Sequence, residues 1–252
     1  MIKTFNFHDV RDNKNPKFQS RYELRSFLTN EEFKENLNQI LRKFSIIKTR
    51  DLAEIESIPM RPHAILTFDD GLSDHYWIAK LLYEQKLTGT FLIPVCAVQN
   101  RKMIHSHKIQ FILSCCDEVK LINMIMDELD ESDGSKEMIW NKYNIPNVKN
   151  NWWTKEMVFA TNFFRNHKKG KAVVDKFFAE HVSNDEEDFC SDFYLTESQI
   201  SEMIDMGMEI GGHGFLSEAL PNINQEDDIR KSLEFINKFD NNDLIFSYPN
   251  GK

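Results

Sequence analysis

Two adjacent carboxylates, Asp69 and Asp70, end an apolar run in "AILTFDDGLSDHY" (residues 64–76), and a glycine follows at once. Successive residues of a strand point to opposite faces, but where a strand ends both side chains can turn into one crevice. Burying two unpaired carboxylates there is costly, so they call for a cation, a set of donors or water. A metal resolves the conflict, with one carboxylate as ligand and the other as general base. The same residues also suffice for a turn at Asp70-Gly71 with Asp69 capping the next helix. "EIGGHGF" places His213 at the end of a second strand-like run, between glycines that leave room for backbone or ligand. "FSYPNG" ends a third; its proline and glycine hold an irregular loop whose N–H groups suit a developing oxyanion.

These residues need strands that end on one side of a sheet. "IKTFNFHDV" alternates apolar and polar residues and reads as a first strand, with His8 at its end. "LTNEEFKENLNQILRKF" reads as a helix, opened by a Thr29/Glu32 capping box and carrying Phe33, Leu37, Ile40, Leu41 and Phe44 at helical spacing. "SIIKTRDL" is a short strand and turn. "HAILTF" is apolar as a strand covered on both faces should be. "SDHYWIAKLLYEQK" then reads as a helix with His75 on its surface, and "GTFLIPV" as a strand. This alternation predicts parallel strands joined by crossover helices. From 97 to 194 the pattern is helical, through "KIQFILSCC", "VKLINMIMDEL", "TKEMVFATNFF" and "KAVVDKFFAEHV". The α/β rhythm returns with "LTESQISEMIDMG", capped by Thr196 and Gln199 and stopped by Gly207, then "MEIGGHG", "QEDDIRKSLEFINKF" and a last strand, "DLIFSYPNG". The expected organisation is an α/β domain over 1–96 and 195–252, with 97–194 a mainly helical insertion or cap.

The 252 residues are 41% hydrophobic, enough for a substantial core, and carry a formal charge of -9, which argues against a nucleic-acid partner. The four cysteines form no CxxC pair, and the vicinal Cys115-Cys116 suits no ordinary disulfide, so they read as reduced thiols of a cytoplasmic protein. No leader-like or membrane-spanning run is expected. His105 and His107 in "MIHSHKIQF" read as loop residues, and Trp152 and Trp153 as aromatic packing or a sugar-stacking surface.

Taken in order and strand context, "LTFDDG", "EIGGHG" and "FSYPNG" resemble the motifs of the polysaccharide deacetylases, the NodB-homology family. "FNFHDV" is similar to that family's first strand and "TGTFLIPV" to the strand after the first motif. The resemblance covers roughly 1–96 and 195–252. It implies a deformed (β/α) barrel, incomplete at the C-terminus and carrying a helical insertion. It implies hydrolytic removal of an N- or O-linked acetyl group from a carbohydrate, assisted by zinc or a similar divalent metal. Asp69 would be the general base, Asp70 and His213 metal ligands, and the backbone around Asn250 part of an oxyanion hole. Tyr248, Pro249 and His8 would line the substrate crevice.

Departures from the family pattern are specific. Ser217 stands four residues after His213, where the family carries a second histidine, and Glu218 is the nearest oxygen donor that would replace it. Ser247 and Asn250 stand where the family has an arginine or small residue and an aromatic. The strands that in the family carry a general-acid histidine would follow Lys252. Two readings follow. One is a deacetylase acting on a surface-polysaccharide precursor in the cytoplasm. The other is a carbohydrate-binding pseudoenzyme or scaffolding subunit on the same fold.

Overall fold

The computed structural model describes residues 1–12, 16–22, 24, 27–54, 61–145, 153–216, 224–239 and 244–249. In chain order the elements are β1 Ile2–Phe7, α1 Gln19–Tyr22, α2 Asn30–Lys43, β2 Ser45–Ile46, β3 His63–Phe68, α3 Asp74–Glu84, β4 Thr90–Ile93 and α4 Val95–Gln99. There follow α5 His105–Cys115, α6 Glu118–Asp127, α7 Lys136–Tyr143, α8 Lys155–Asn166, α9 Gly170–His181, α10 Glu186–Phe193, α11 Glu197–Asp205, β5 Glu209–Gly212 and α12 Gln225–Ile236.

The chain divides into two compact units. One comprises 1–12, 27–104 and 187–252; the other comprises 13–26 and 105–186. The polar segment after β1 thus belongs to the helical unit, a placement the sequence does not signal.

The first unit is α/β, as its rhythm predicts. Its strands form one five-stranded parallel sheet in the order β1-β3-β4-β5, with β2 also on β3. β1 and β3 pair along their full length, from Ile2 opposite His63 to Phe7 opposite Phe68. The other edge of β3 is shared. β2 pairs at His63–Ala64 and β4 at Thr67–Phe68, so these two neighbours splay apart. The buried Glu209 carboxylate ties the splayed ends together. It accepts from the Thr49 N–H at 2.7 Å, the Arg50 N–H at 3.1 Å and the Thr90 hydroxyl at 2.8 Å.

Alternation assigns the two sheet faces. Ala64, Leu66, Phe68, Phe91, Ile93 and Ile210 face the core, where they pack on Phe33 and Leu37 of α2, Ile78 and Leu82 of α3, Met203 of α11 and Phe235 of α12. Phe68 stacks on Phe91 with centroids 4.6 Å apart. Asn6, His8, Thr67, Asp69, Glu209, Gly211 and His213 consequently share the opposite face. The capping boxes Thr29/Glu32 and Thr196/Gln199 are formed as expected, and Gly207 ends α11 at φ +83°.

Two expected elements differ. "DLIFSYPNG" contributes one parallel bridge, Phe246 to Gly212, rather than a long strand among its described residues. His75 lies not on the surface of α3 but fully buried, packed against the stacked rings of Phe68 and Phe91.

The second unit is helical. Lys108, almost fully buried, bridges α5 to Asp175 of α9 at 2.7 Å and to Glu186 at 3.0 Å. Asp133, also buried, takes Lys168 at 2.9 Å and Lys169 at 2.6 Å and fastens the turn between α8 and α9. His105 and His107, expected in a loop, stand in the first turn of α5, and His107 is buried. Trp153 is partly buried; Trp152 lies outside the described residues.

Candidate active site

All the parallel strands end on one edge of the sheet, and the site is built there. β3 delivers Asp69, whose N–H still donates to Phe7 O at 3.0 Å, as a strand residue would. The chain then turns sharply: Asp70 has φ +77° and Gly71 φ +59°. Aspartate is among the few side-chain-bearing residues that enter this left-handed region readily. At Gly71 a Cβ would also stand 3.3 Å from Pro94 Cδ. The turn is fastened beyond by Leu195 N–H to Gly71 O at 2.9 Å and Ser73 N–H to Phe193 O at 3.0 Å. Two successive left-handed residues break the alternation, and adjacent carboxylates both stand at the carboxyl edge of the sheet.

Asp69 is 7% exposed. Its Oδ2 accepts from Asn6 Nδ2 at 2.9 Å, and the Asn6 carbonyl in turn accepts from the Thr67 hydroxyl at 3.0 Å. Because Asn6 and Thr67 are register partners, this relay follows directly from the β1–β3 pairing. His8 Nε2 stands 3.7 Å from the same Oδ2, with a half-exposed side chain. Asp69 Oδ1 is buried and accepts no hydrogen bond from the described residues. The two oxygens of Asp69 thus differ in their surroundings.

Asp70 lies on the β5 side, its Oδ1 3.9 Å from His213 Nε2. His213 Nδ1 is 3.1 Å from the Ser247 carbonyl. A carbonyl only accepts, so Nδ1 donates, and in the neutral ring the lone pair is on Nε2, the nitrogen nearer Asp70. The loop after His213 is anchored by the buried Asp228, whose two oxygens accept from Phe215 N–H at 2.9 Å and Leu216 N–H at 3.0 Å. Gly212 is required by close approach: a Cβ there would stand 2.5 Å from Ser232 Oγ of α12. The 245–247 segment locks alongside through Gly212 N–H to Ile245 O and Ser247 N–H to Gly212 O.

His75, read from the sequence as a surface residue of its helix, has a structural role here. Its Nε2 donates to the His8 carbonyl at 2.9 Å and so fixes the backbone from which His8 reaches Asp69. Burial pulls its pKa down to about 4, against smaller upward pulls from that hydrogen bond and from Asp9 and Asp70. It is neutral at pH 7. Nearby, the buried Arg11 pairs with Asp74 at 2.7 Å, reaches Asp9 at 3.5 Å and lies over the Phe193 ring.

A divalent metal would draw on Asp70 and His213, whose donor types and histidine tautomer fit one: the Nδ1–H to carbonyl contact is the usual support of a metal-ligating imidazole. Among the described residues no third His, Cys, Asp or Glu side chain joins them. Ser217, Glu218 and Asn250 lie outside the described residues. Pro249 is buried, while Tyr248 is 54% exposed with its ring edge-on to Phe246.

No sequence-family model and no curated protein matches the chain. Solved structures do. A Streptococcus pyogenes deacetylase, PplD, solved in complex with acetate, matches at TM-score 0.54 and 13% identity over 100% of this chain and 74% of that one. IcaB from Ammonifex degensii matches at 0.53 and 14% identity, over 100% and 75%. A polysaccharide deacetylase from Bacillus cereus matches at 0.51 and 15% identity, over 100% of this chain and 51% of that one. The fold is that of the NodB-type polysaccharide deacetylases. No helix among the described residues is long and apolar enough to cross a membrane.

Proposed function

We propose that the chain removes acetyl groups hydrolytically from an N- or O-acetylated carbohydrate, a surface-polysaccharide precursor being the substrate class. The observation that carries this reading is Asp69: one oxygen held by Asn6, the other buried and without a hydrogen bond from the described residues, at the carboxyl edge of the sheet. A carboxylate so placed takes a proton from water as that water attacks the acyl carbon. The C–N or C–O bond then breaks, the proton passes to the leaving nitrogen or oxygen, and acetate departs. His8, 3.7 Å from the held oxygen, lines the crevice on the β1 side, and Tyr248 offers a ring face to a sugar on the other. Asp70 and His213 would hold zinc or a similar divalent ion, with Glu218 as a further oxygen donor. That ion would polarise the acyl carbonyl. The backbone around Asn250 would donate to the developing oxyanion. The test is acetate release from N-acetylated amino-sugar oligomers with added zinc or cobalt, with Asp69→Asn as control. Release that the substitution abolishes supports the reading; no release from any such sugar counts against it.

One observation favours a second reading. Only two ligand-type side chains converge among the described residues, where catalytic zinc sites use three. A carbohydrate-binding pseudoenzyme or scaffolding subunit would bind sugar without turnover and be indifferent to chelator.

A further inference from the structure

The helical unit carries a pair of thiols that deacetylation does not use. α5 ends at Cys115, and the next residue, Cys116, precedes Asp117, which caps α6 by accepting from Lys120 N–H. Cys115 is exposed and Cys116 half-buried, and their sulfurs are 3.7 Å apart. Cys96 and Cys190, by contrast, are buried in the other unit.

The two thiols have unequal surroundings. Cys115 sits at the C-terminal, electronegative end of α5; its thiol reaches Ile112 O as donor and lies within hydrogen-bond distance of the Cys116 sulfur. Cys116 sits at the electropositive start of α6. The Cys115 hydrogen bond and the Lys120 ammonium lower its pKa, while the thiol of Cys115 is raised. The surroundings thus favour ionisation of Cys116 and oppose that of Cys115, so the two sulfurs are chemically distinct.

Two outcomes are open to such a pair. A disulfide fits poorly: adjacent Cα atoms are about 3.8 Å apart across a trans peptide, below the roughly 4.4–6.8 Å that disulfides span. A chelated ion fits well. Two thiolates bound at about 2.3 Å to a tetrahedral centre lie about 3.8 Å apart, which is the separation already present.

We propose that Cys115 and Cys116 form a bidentate site for a soft d10 divalent cation of the zinc and cadmium class. Binding by two thiols releases two protons, or one where Cys116 is already ionised. With two protein ligands the remaining tetrahedral positions fall to solvent or to an added small thiol. This is the character of an exchangeable ion rather than a structural one, since structural zinc sites use four protein ligands.

Cadmium titration of the full chain, followed by ultraviolet thiolate-to-metal charge transfer, tests the site. This readout requires sulfur, so the Asp70–His213 pair cannot produce it. The expected result is one equivalent bound, with apparent affinity at least tenfold weaker in both Cys115→Ser and Cys116→Ser and unchanged in Asp70→Ala. In the unmodified protein, cadmium should also protect both thiols from alkylation, as read by peptide mass. No charge-transfer band, a band that persists in the Cys115→Ser/Cys116→Ser double variant, or protection of only one of the two thiols would overturn the proposal.

Discussion

The burial of His75 makes a quantitative prediction about pH. Its ordinary pKa is 6.5, and in the folded chain it is about 4. The unfolded state therefore binds a proton on falling through pH 6.5 while the folded state refuses one until about pH 4. Stability rises with pH wherever the unfolded state holds more protons, so this residue costs stability progressively as pH falls across that window. The gap corresponds to about 3 kcal/mol between pH 7 and pH 4. His75→Phe removes the titration and keeps an aromatic against Phe68 and Phe91, at the cost of leaving the His8 carbonyl without its donor. Urea unfolding of both proteins at pH 7, 6, 5 and 4 isolates the effect, because every other titrating group is common to them. The variant should begin less stable at pH 7 and close on the wild type by about 3 kcal/mol at pH 4. A constant difference between the two curves would refute the neutral, buried assignment.

Other consequences follow from the same geometry. Asp69→Asn should lower acetate release roughly 100- to 10,000-fold while leaving the thermal midpoint nearly unchanged, as loss of a general base does. Asn6→Ala, which frees the held oxygen of Asp69, should lower kcat roughly tenfold or more with little change in KM, the size of one hydrogen bond to a charged group. Asp70→Ala should abolish zinc uptake at the crevice measured by calorimetry in the Cys115→Ser/Cys116→Ser background. Glu209→Leu should destabilise the sheet unit by about 3 kcal/mol, since two backbone N–H groups and the Thr90 hydroxyl lose their acceptor; denaturant unfolding measures it.

The chemistry-bearing residues of β3 and β5 were legible because each ends an apolar run, and parallel strands put such ends on one edge. The alternation of "IKTFNFHDV" and the apolar run "HAILTF" mark two strands, but only their register brings Asn6 opposite Thr67 and so onto Asp69. His75 was illegible for a related reason. Its helix carries apolar residues on more than one side, and burial there is decided by the rings of Phe68 and Phe91, which belong to two other strands. Glu209 reads as an ordinary charged residue at a strand start; its role arises from the splay of β2 from β4, a feature of three-dimensional pairing. Asp228 likewise looks like one more acid in the first turn of α12 until the Phe215 and Leu216 amides meet it. Nor does sequence periodicity assign residues 13–26 to the helical unit, because the contacts that place them are long-range.

The most direct test of the central proposal is hydrolysis in isotopically heavy water. Purified chain with added zinc, incubated with an N-acetylated amino-sugar oligomer in ¹⁸O-water, should release acetate carrying a single heavy oxygen, and Asp69→Asn should not. Acetate without heavy oxygen, equal release by the variant, or no release from the wild type would contradict a hydrolytic site built on Asp69.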